Sequence, residues 1–274
     1  MPRLAVPAGA CDCHFHLFGP ATRYRFDPAS PYTSDDALPE TFFDLQRTLG
    51  FSRGVLISGG GYGRDTTHLT DTLARFPDRL RGIAWVAEEI TTARIRELDS
   101  LGVRGVRFIS ERRRGGLPVL SEAVAHRVHE AAAWQVHFYP AGDLARQAPR
   151  LMALPNTIVL DHFAGIDAAG GVQQADFRLL LELLDSGRVW VKLSGPMRCT
   201  GDEFPYPLLA PLAQALVNHA PHRLIWGSDW PHVNMNDRVM PNDGDLVDLL
   251  EEWIPDPGAR QRILVDNPAR LFGF

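Results

Sequence analysis

Eight short apolar runs, each rich in β-branched or aromatic residues, recur along the chain. They are CDCHFHLF (11–18), RGVLIS (53–58), RGIAWV (81–86), RGVRFIS (104–110), QVHFYP (135–140), TIVLDHF (157–163), RVWVKLSG (188–195) and RLIWGSDW (223–230). Runs of this length and composition read as buried strands. Between them lie stretches with apolar residues at helical spacing, among them PETFFDLQRTLG, TARIRELDSLG, SEAVAHRVHEAAAW and DFRLLLELLDSG. Several open near Ser, Thr, Asp or Pro and stop at Gly or Pro, where the unpaired groups of a helix end find caps. Strand-then-helix repetition calls for a parallel sheet. Eight such units in 274 residues predict an α/β fold, a single (β/α)8 barrel domain over residues 1–274. The rival is a doubly wound open sheet, but no G-x-G-x-x-G follows the first strand. The Gly-rich SGGGYG (58–63) lacks the Lys-Ser/Thr of a phosphate loop and reads as a close-approach loop.

Composition narrows the surroundings. Apolar content of 45% and charged content of 22% are those of an ordinary globular chain. A net charge of -5 gives no reason to expect nucleic acid or an anionic membrane as partner. Cys11, Cys13 and Cys199 are an odd count with two of them close together, which reads as reduced thiols and a cytoplasmic location. MPRLAVPAGA makes a poor signal peptide, its short apolar run being interrupted by Pro7. No run reaches the roughly eighteen apolar residues of a membrane span.

In a barrel, chemistry sits at the C-terminal ends of the strands. Those ends carry Asp12, His14 and His16 on strand one, Arg107 on strand four, His137 and Tyr139 on strand five, and His162 on strand six. Lys192 and Ser194 follow on strand seven and Asp229 on strand eight. Inward-facing polar groups are costly unless paired or bound, so this many at one end point to a site. The H-x-H pair alone is a weak signal, since two histidines on a strand are more often structural. Joined by a third His and an Asp, it offers the imidazole and carboxylate ligands that zinc or manganese favours. The long stretch 19–39 and the basic SERRRGG (110–116) are expected to be loops on the same face.

Taken together, DCHFHLFG, VLDHFAG, VKLSG, GSDWPHVNMN and VDNPARLFGF resemble the amidohydrolase superfamily, and within it the 2-pyrone-4,6-dicarboxylate hydrolase (lactonase) group. The resemblance implies a (β/α)8 barrel that hydrolyses an ester, amide or lactone, in this group within aromatic degradation. Many superfamily members hold metals through H-x-H, a strand-four Lys, His on strands five and six, and a strand-eight Asp. Here strand four has Arg107, which cannot be carbamylated to bridge two metals, and strand five has Tyr139 before Pro140 where a ligating His is expected. The lactonase group is understood to work without metal, so no cofactor is expected. A single zinc or manganese on His14, His16, His162 and Asp229 is the alternative. By the resemblance, His14, His16 and His162 polarise the lactone carbonyl and Asp229 activates water. Arg107, Arg113 and Arg198 grip substrate carboxylates with Tyr139 and Tyr32, a guanidinium fork matching a carboxylate in two hydrogen bonds. One arginine expected soon after the strand-six His is absent, Ala164 and Gly165 standing there instead.

Other residues receive plainer readings. Lys192 is expected to pair with an inward carboxylate such as Asp12, and Cys11 and Cys13, alternating with Asp12, to pack against helices. His126 and His129 share a helix face, and His68, His219 and His222 carry no partner signal. His232 is placed to line the rim or to orient Asp229. The first functional reading is a hydrolase opening a small anionic lactone, acting as a monomer or small homo-oligomer. A metal-dependent lactonase and a lactone isomerase would use the same residues. A decarboxylase should keep the strand-five His, and a non-catalytic binder would leave Asp229 and H-x-H without a task.

Overall fold

A computed structural model describes residues 1–30, 32–110, 119–235 and 238–274. Eight strands alternate with helices: β1 (Cys11–Phe15), α1 (Pro39–Leu49), β2 (Arg53–Ile57), α2 (Thr67–Arg75), β3 (Leu80–Ala84), α3 (Thr92–Ser100), β4 (Val103–Ile109) and α4 (Glu122–Ala132) lead. Then come β5 (Gln135–Tyr139), α5 (Leu144–Ala153), β6 (Ile158–Leu160), α6 (Ala175–Asp185), β7 (Val189–Ser194), α7 (Ala210–His219), β8 (Leu224–Gly227) and α8 (Asp243–Trp253). Two short helices, α9 (Pro257–Gln261) and α10 (Asn267–Phe272), end the chain. The strands lie in the order β1 to β8 and every paired neighbour is parallel. At the seam the Asp229 N–H donates to the His14 carbonyl at 2.7 Å and the His16 N–H to that of Trp230 at 2.8 Å. This is the expected (β/α)8 barrel. Among the described residues no helix is long and apolar enough to cross a membrane.

Local signals set the helix ends. The Ser121 side chain accepts from the Val124 N–H at the start of α4, and Asn242 accepts from Gly244 and Asp245 at the start of α8. Each satisfies amides that the first helical turn leaves unpaired. The outer strand faces carry Phe15, Leu56, Val106, Phe138, Leu160, Val191 and Trp226 into the layer against the helices. Phe15, for example, stacks on Phe42 of α1 at 3.7 Å between centroids. Inside the barrel, Cys11, Cys13, Val55, Ile57, Ile83, Val159, Trp190 and Ile225 form a separate apolar floor with Phe272 of α10. The chain terminus seals that end: the Gln135 amide donates to the Leu271 carbonyl and the Arg81 guanidinium to that of Gly273.

Strand β1 departs from strict alternation, and the departure moves side chains. Asp12 pairs with Gly54 and Phe15 with Leu56, so three steps of β1 oppose two of β2. The extra residue is a β-bulge. Cys13 and His14 consequently both face inward, Phe15 faces out and His16 faces in. The expectation that Cys11 and Cys13 pack against helices is therefore corrected: they line the floor. Asp12 is correspondingly outside the barrel lumen. Its carboxylate accepts from the His14 N–H at 3.1 Å and from the Ser228 N–H and hydroxyl at 3.0 and 2.6 Å, clamping the bulge to the end of β8. Burial pushes the Asp12 carboxyl up to about 7 against the pull of these hydrogen bonds.

Candidate active site

Above the apolar floor the lumen turns charged. The Asp229 Oδ1 lies 3.6 Å from His14 Nε2, 3.8 Å from His16 Nε2 and 3.8 Å from His162 Nε2. Each imidazole is held from its other nitrogen. His16 Nδ1 is 2.9 Å from the Ile57 carbonyl, an acceptor only, so Nδ1 carries the proton and Nε2 keeps its lone pair. His162 Nδ1 meets the Ser194 hydroxyl at 2.9 Å, and His14 Nδ1 meets Lys192 Nζ at 3.1 Å. Close approach of β8 to β1 depends on Gly227, where a Cβ would sit 2.6 Å from the His14 backbone nitrogen. Asp229 and His162 have left-handed backbones, φ 68 and 51, uncommon for residues with side chains and frequent where a group is aimed at a site.

The electrostatics form two tiers. In the upper one the Arg198 Nε donates to Asp229 Oδ2 at 2.6 Å, and its Nη2 to the Val233 carbonyl at 3.0 Å. Burial alone would raise the Asp229 carboxyl; Arg198, then the imidazoles, outweigh it and hold it well below the carboxylate range. In the lower tier Lys192 Nζ lies 3.0 Å from Asp161 Oδ1, with Arg107 Nε 3.4 Å from Asp161 Oδ2. Burial holds the histidines neutral: His16 falls to about 4 and His162 to about 3, while His14 drops well below its usual value, with Lys192 adding to the effect. Among the described residues, two carboxylates thus face three cations, one positive charge in excess.

The expected site residues gather unevenly. His14, His16, His162, Asp229, Arg107 and Arg198 form the cluster, and the Tyr139 ring stands edge-on to His162 at 5.0 Å. Tyr32 lies in the first loop within an aromatic group of Phe18, Phe26 and Tyr62. Its hydroxyl accepts from the Gly61 N–H and would lie 2.8 Å from a Cβ on Gly59, so SGGGYG is a close-approach loop as expected. Arg113 lies outside the described residues. Lys192 does pair with an inward carboxylate, but that carboxylate is Asp161 and not Asp12, because the bulge turns Asp12 out of the lumen. His232 bonds Asp243 at 3.0 Å rather than the Asp229 carboxylate. Sequence reasoning misses Asp161. Its signal is nevertheless present in VLDHF, where it immediately precedes His162 just beyond a strand of three residues. A cavity of about 250 Å³ adjoins the cluster, lined among others by Tyr139, Ala141, Gly165, Arg198, Thr200 and Arg238.

His14, His162 and Asp229 present ligand atoms that all lie within 4.8 Å of one another. The His14 Nε2 and Asp229 Oδ1 atoms are buried with no hydrogen-bond partner among the described residues. A neutral imidazole pair with a carboxylate fits a single divalent zinc or manganese. The same atoms fit equally a water and a carbonyl oxygen, since buried polar atoms seek partners.

Known proteins share this whole framework. Over 274 residues the chain is 38% identical to a 4-sulfomuconolactone hydrolase of Rhizobium radiobacter, covering 98% of this chain and 91% of the relative. It is 35% identical over 282 residues to a 2-pyrone-4,6-dicarboxylate hydrolase of Comamonas testosteroni, covering 99% and 92%. The apo crystal structure of Agrobacterium tumefaciens ATU3138 superposes with a TM-score of 0.88 at 30% identity, covering 100% of this chain and 99% of that one. With residues 11–274 matching the amidohydrolase family, the chain belongs to that family of hydrolases.

Proposed function

We propose that the chain is a lactonase for a small lactone carrying an anionic substituent, a carboxylate or a sulfonate. The observation that carries this reading is the convergence of three imidazole Nε2 atoms on one oxygen of Asp229. The relatives' names, one a sulfomuconolactone hydrolase and one a pyrone-dicarboxylate hydrolase, support an anionic lactone as the class. So does the excess positive charge of the site.

The steps follow from the groups present. Arg107 binds the anionic substituent beside the imidazoles, and Tyr139 with the adjoining cavity receives the rest of the ring. An imidazole that presents a proton from Nε2 donates to the carbonyl oxygen. It stabilises the negative charge that grows there, usually the main source of rate acceleration in acyl transfer. Asp229 takes a proton from water as the water oxygen bonds the carbonyl carbon. The ring C–O bond then breaks, and the leaving oxygen receives that proton from Asp229. A carboxylate held by Arg198 is a weak base. A substrate anion that draws the guanidinium toward itself leaves Asp229 more basic at the moment it is needed.

Ligand atoms grouped within 4.8 Å favour a second reading, a lactonase using one metal. His14, His162 and Asp229 would hold the ion, which would polarise the carbonyl and acidify bound water. Ring opening of 2-pyrone-4,6-dicarboxylate and 4-sulfomuconolactone, followed by ultraviolet absorbance, tests the first reading. Turnover of at least one anionic lactone, with far slower turnover of a neutral lactone of the same ring, is expected. Absence of turnover for every anionic lactone overturns it. Repeating the assay after chelation separates the two mechanisms: retained activity means the protein groups suffice, and loss restored by zinc or manganese assigns the metal.

A further inference from the structure

Asp161 takes no part in the steps above, yet four of the site's groups meet on it. Its Oδ1 lies 3.0 Å from Lys192 Nζ, 3.4 Å from His14 Nδ1 and 4.0 Å from His137 Nδ1. Its Oδ2 lies 3.4 Å from Arg107 Nε. Asp161, Lys192 and His14 are all fully buried. The Lys192 Nζ also forms a hydrogen bond of 3.1 Å with His14 Nδ1. The Asp161 oxygen, at 3.4 Å, is the more distant of the two neighbours of Nδ1. An ammonium has donors and no acceptor, so beside a charged Lys192 the Nδ1 accepts and the proton of the neutral ring sits on Nε2. That nitrogen is the one facing Asp229, at 3.6 Å.

We infer that Asp161 is a positioning residue. Through Lys192 it fixes His14 as the Nε2–H tautomer, a hydrogen-bond donor pointing into the site, and through its second oxygen it holds Arg107 beside that donor. One buried carboxylate thereby sets the spacing between the group that polarises the carbonyl and the group that binds the anion. A purely structural role is a poor fit. Buried ion pairs are commonly replaceable by apolar residues at no loss of stability, and the neighbouring lumen already accepts Val159, Trp190 and Ile225.

The test separates stability from function. Asp161→Asn alone strands the Lys192 charge and should lower the melting temperature; Asp161→Asn with Lys192→Met removes both charges and should recover most of the loss, with only Arg107 left without its carboxylate. In that double variant kcat on an anionic lactone should remain at least about tenfold below the parent, a partial loss of the roughly 100-fold that one oriented donor is worth, with KM raised through Arg107. In chelator-treated protein, 15N spectra of the histidine rings should show parent His14 protonated on Nε2, its signal assigned by loss in His14→Gln, and a mixture of tautomers in the double variant. Recovery of kcat along with stability overturns the inference. So does an unchanged His14 spectrum, or a parent His14 protonated on Nδ1, which needs no variant to fold. The kinetic arm rests on the lactonase reading. If the parent opens no anionic lactone, that reading fails by itself and the ring spectra alone decide the role of Asp161.

Discussion

The barrel lumen holds two levels of opposite character within the same eight strands. At the N-terminal end Cys11, Cys13, Val55, Ile83, Trp190 and Ile225 close around Phe272 as an apolar plug. Further along the barrel, the strands and the turns after them carry His14, Arg107, Asp161, Lys192 and Asp229 into the lumen, all buried. The floor gains from the removal of apolar surface from water. The upper level stays folded only because each charge has a partner, and a lost partner leaves a buried charge exposed to its full desolvation cost. Stability is therefore concentrated below, and the proposed chemistry lies above.

Mutations should respect that division. Phe272→Ala opens a cavity in the floor and should cost about 3–5 kcal/mol in denaturant unfolding, while kcat of the folded fraction stays near the parent value. His162→Gln acts in the upper level. It should lower kcat by about 100-fold, the range for an oriented group at a developing oxyanion, with little change in the unfolding midpoint. Arg107→Met should raise KM for an anionic lactone by about 10–100-fold, the worth of a charge-assisted hydrogen bond, and leave KM for a neutral lactone almost unaltered. A fall in unfolding stability as large as that of Phe272→Ala in either upper variant would erase the distinction between the levels.

The same burial gives stability a pH dependence. His16 and His68 are held at about 4 and His162 at about 3 by burial, against 6.5 for a free histidine. Their folded values are depressed, so the unfolded chain binds more protons below about pH 6.5. Their contribution to stability is fully present above that pH and is lost progressively as the pH falls toward 4. Melting temperatures from pH 7.5 to 4.5 should decline, and His68→Gln, outside the site, should flatten part of the slope without altering kcat.

Much of this architecture is legible in the sequence because β/α alternation and helix-end residues are local signals. Strands β2 through β8 fall where apolar runs place them, and the histidines stand out by residue type. Two features escape for physical reasons. A bulge leaves no mark in composition, so strict alternation in CDCHF puts Asp12 inside and Cys13 outside, the reverse of what three residues against two produce. Asp161 hides because β6 is only Ile158–Leu160, and its importance lies in partners supplied by β1, β4 and β7. The pairing of Lys192 follows from the same long-range packing. Arg198 shows the limit of a motif in another way: its place after β7 is legible, but its hydrogen bond to Asp229 appears only in three dimensions.

Asp229→Asn gives the most direct test of the central claim. The substitution keeps the shape of the side chain and removes the group that the proposed mechanism assigns to take a proton from water. Turnover of a carboxylated lactone by parent and variant should be measured beside binding of the same lactone by calorimetry. A loss of kcat of at least about 1,000-fold, equivalent to about 4 kcal/mol of transition-state stabilisation, with binding retained is the expected result. A variant that binds and turns over the lactone like the parent would remove Asp229 from the chemistry and with it the mechanism built on its cluster.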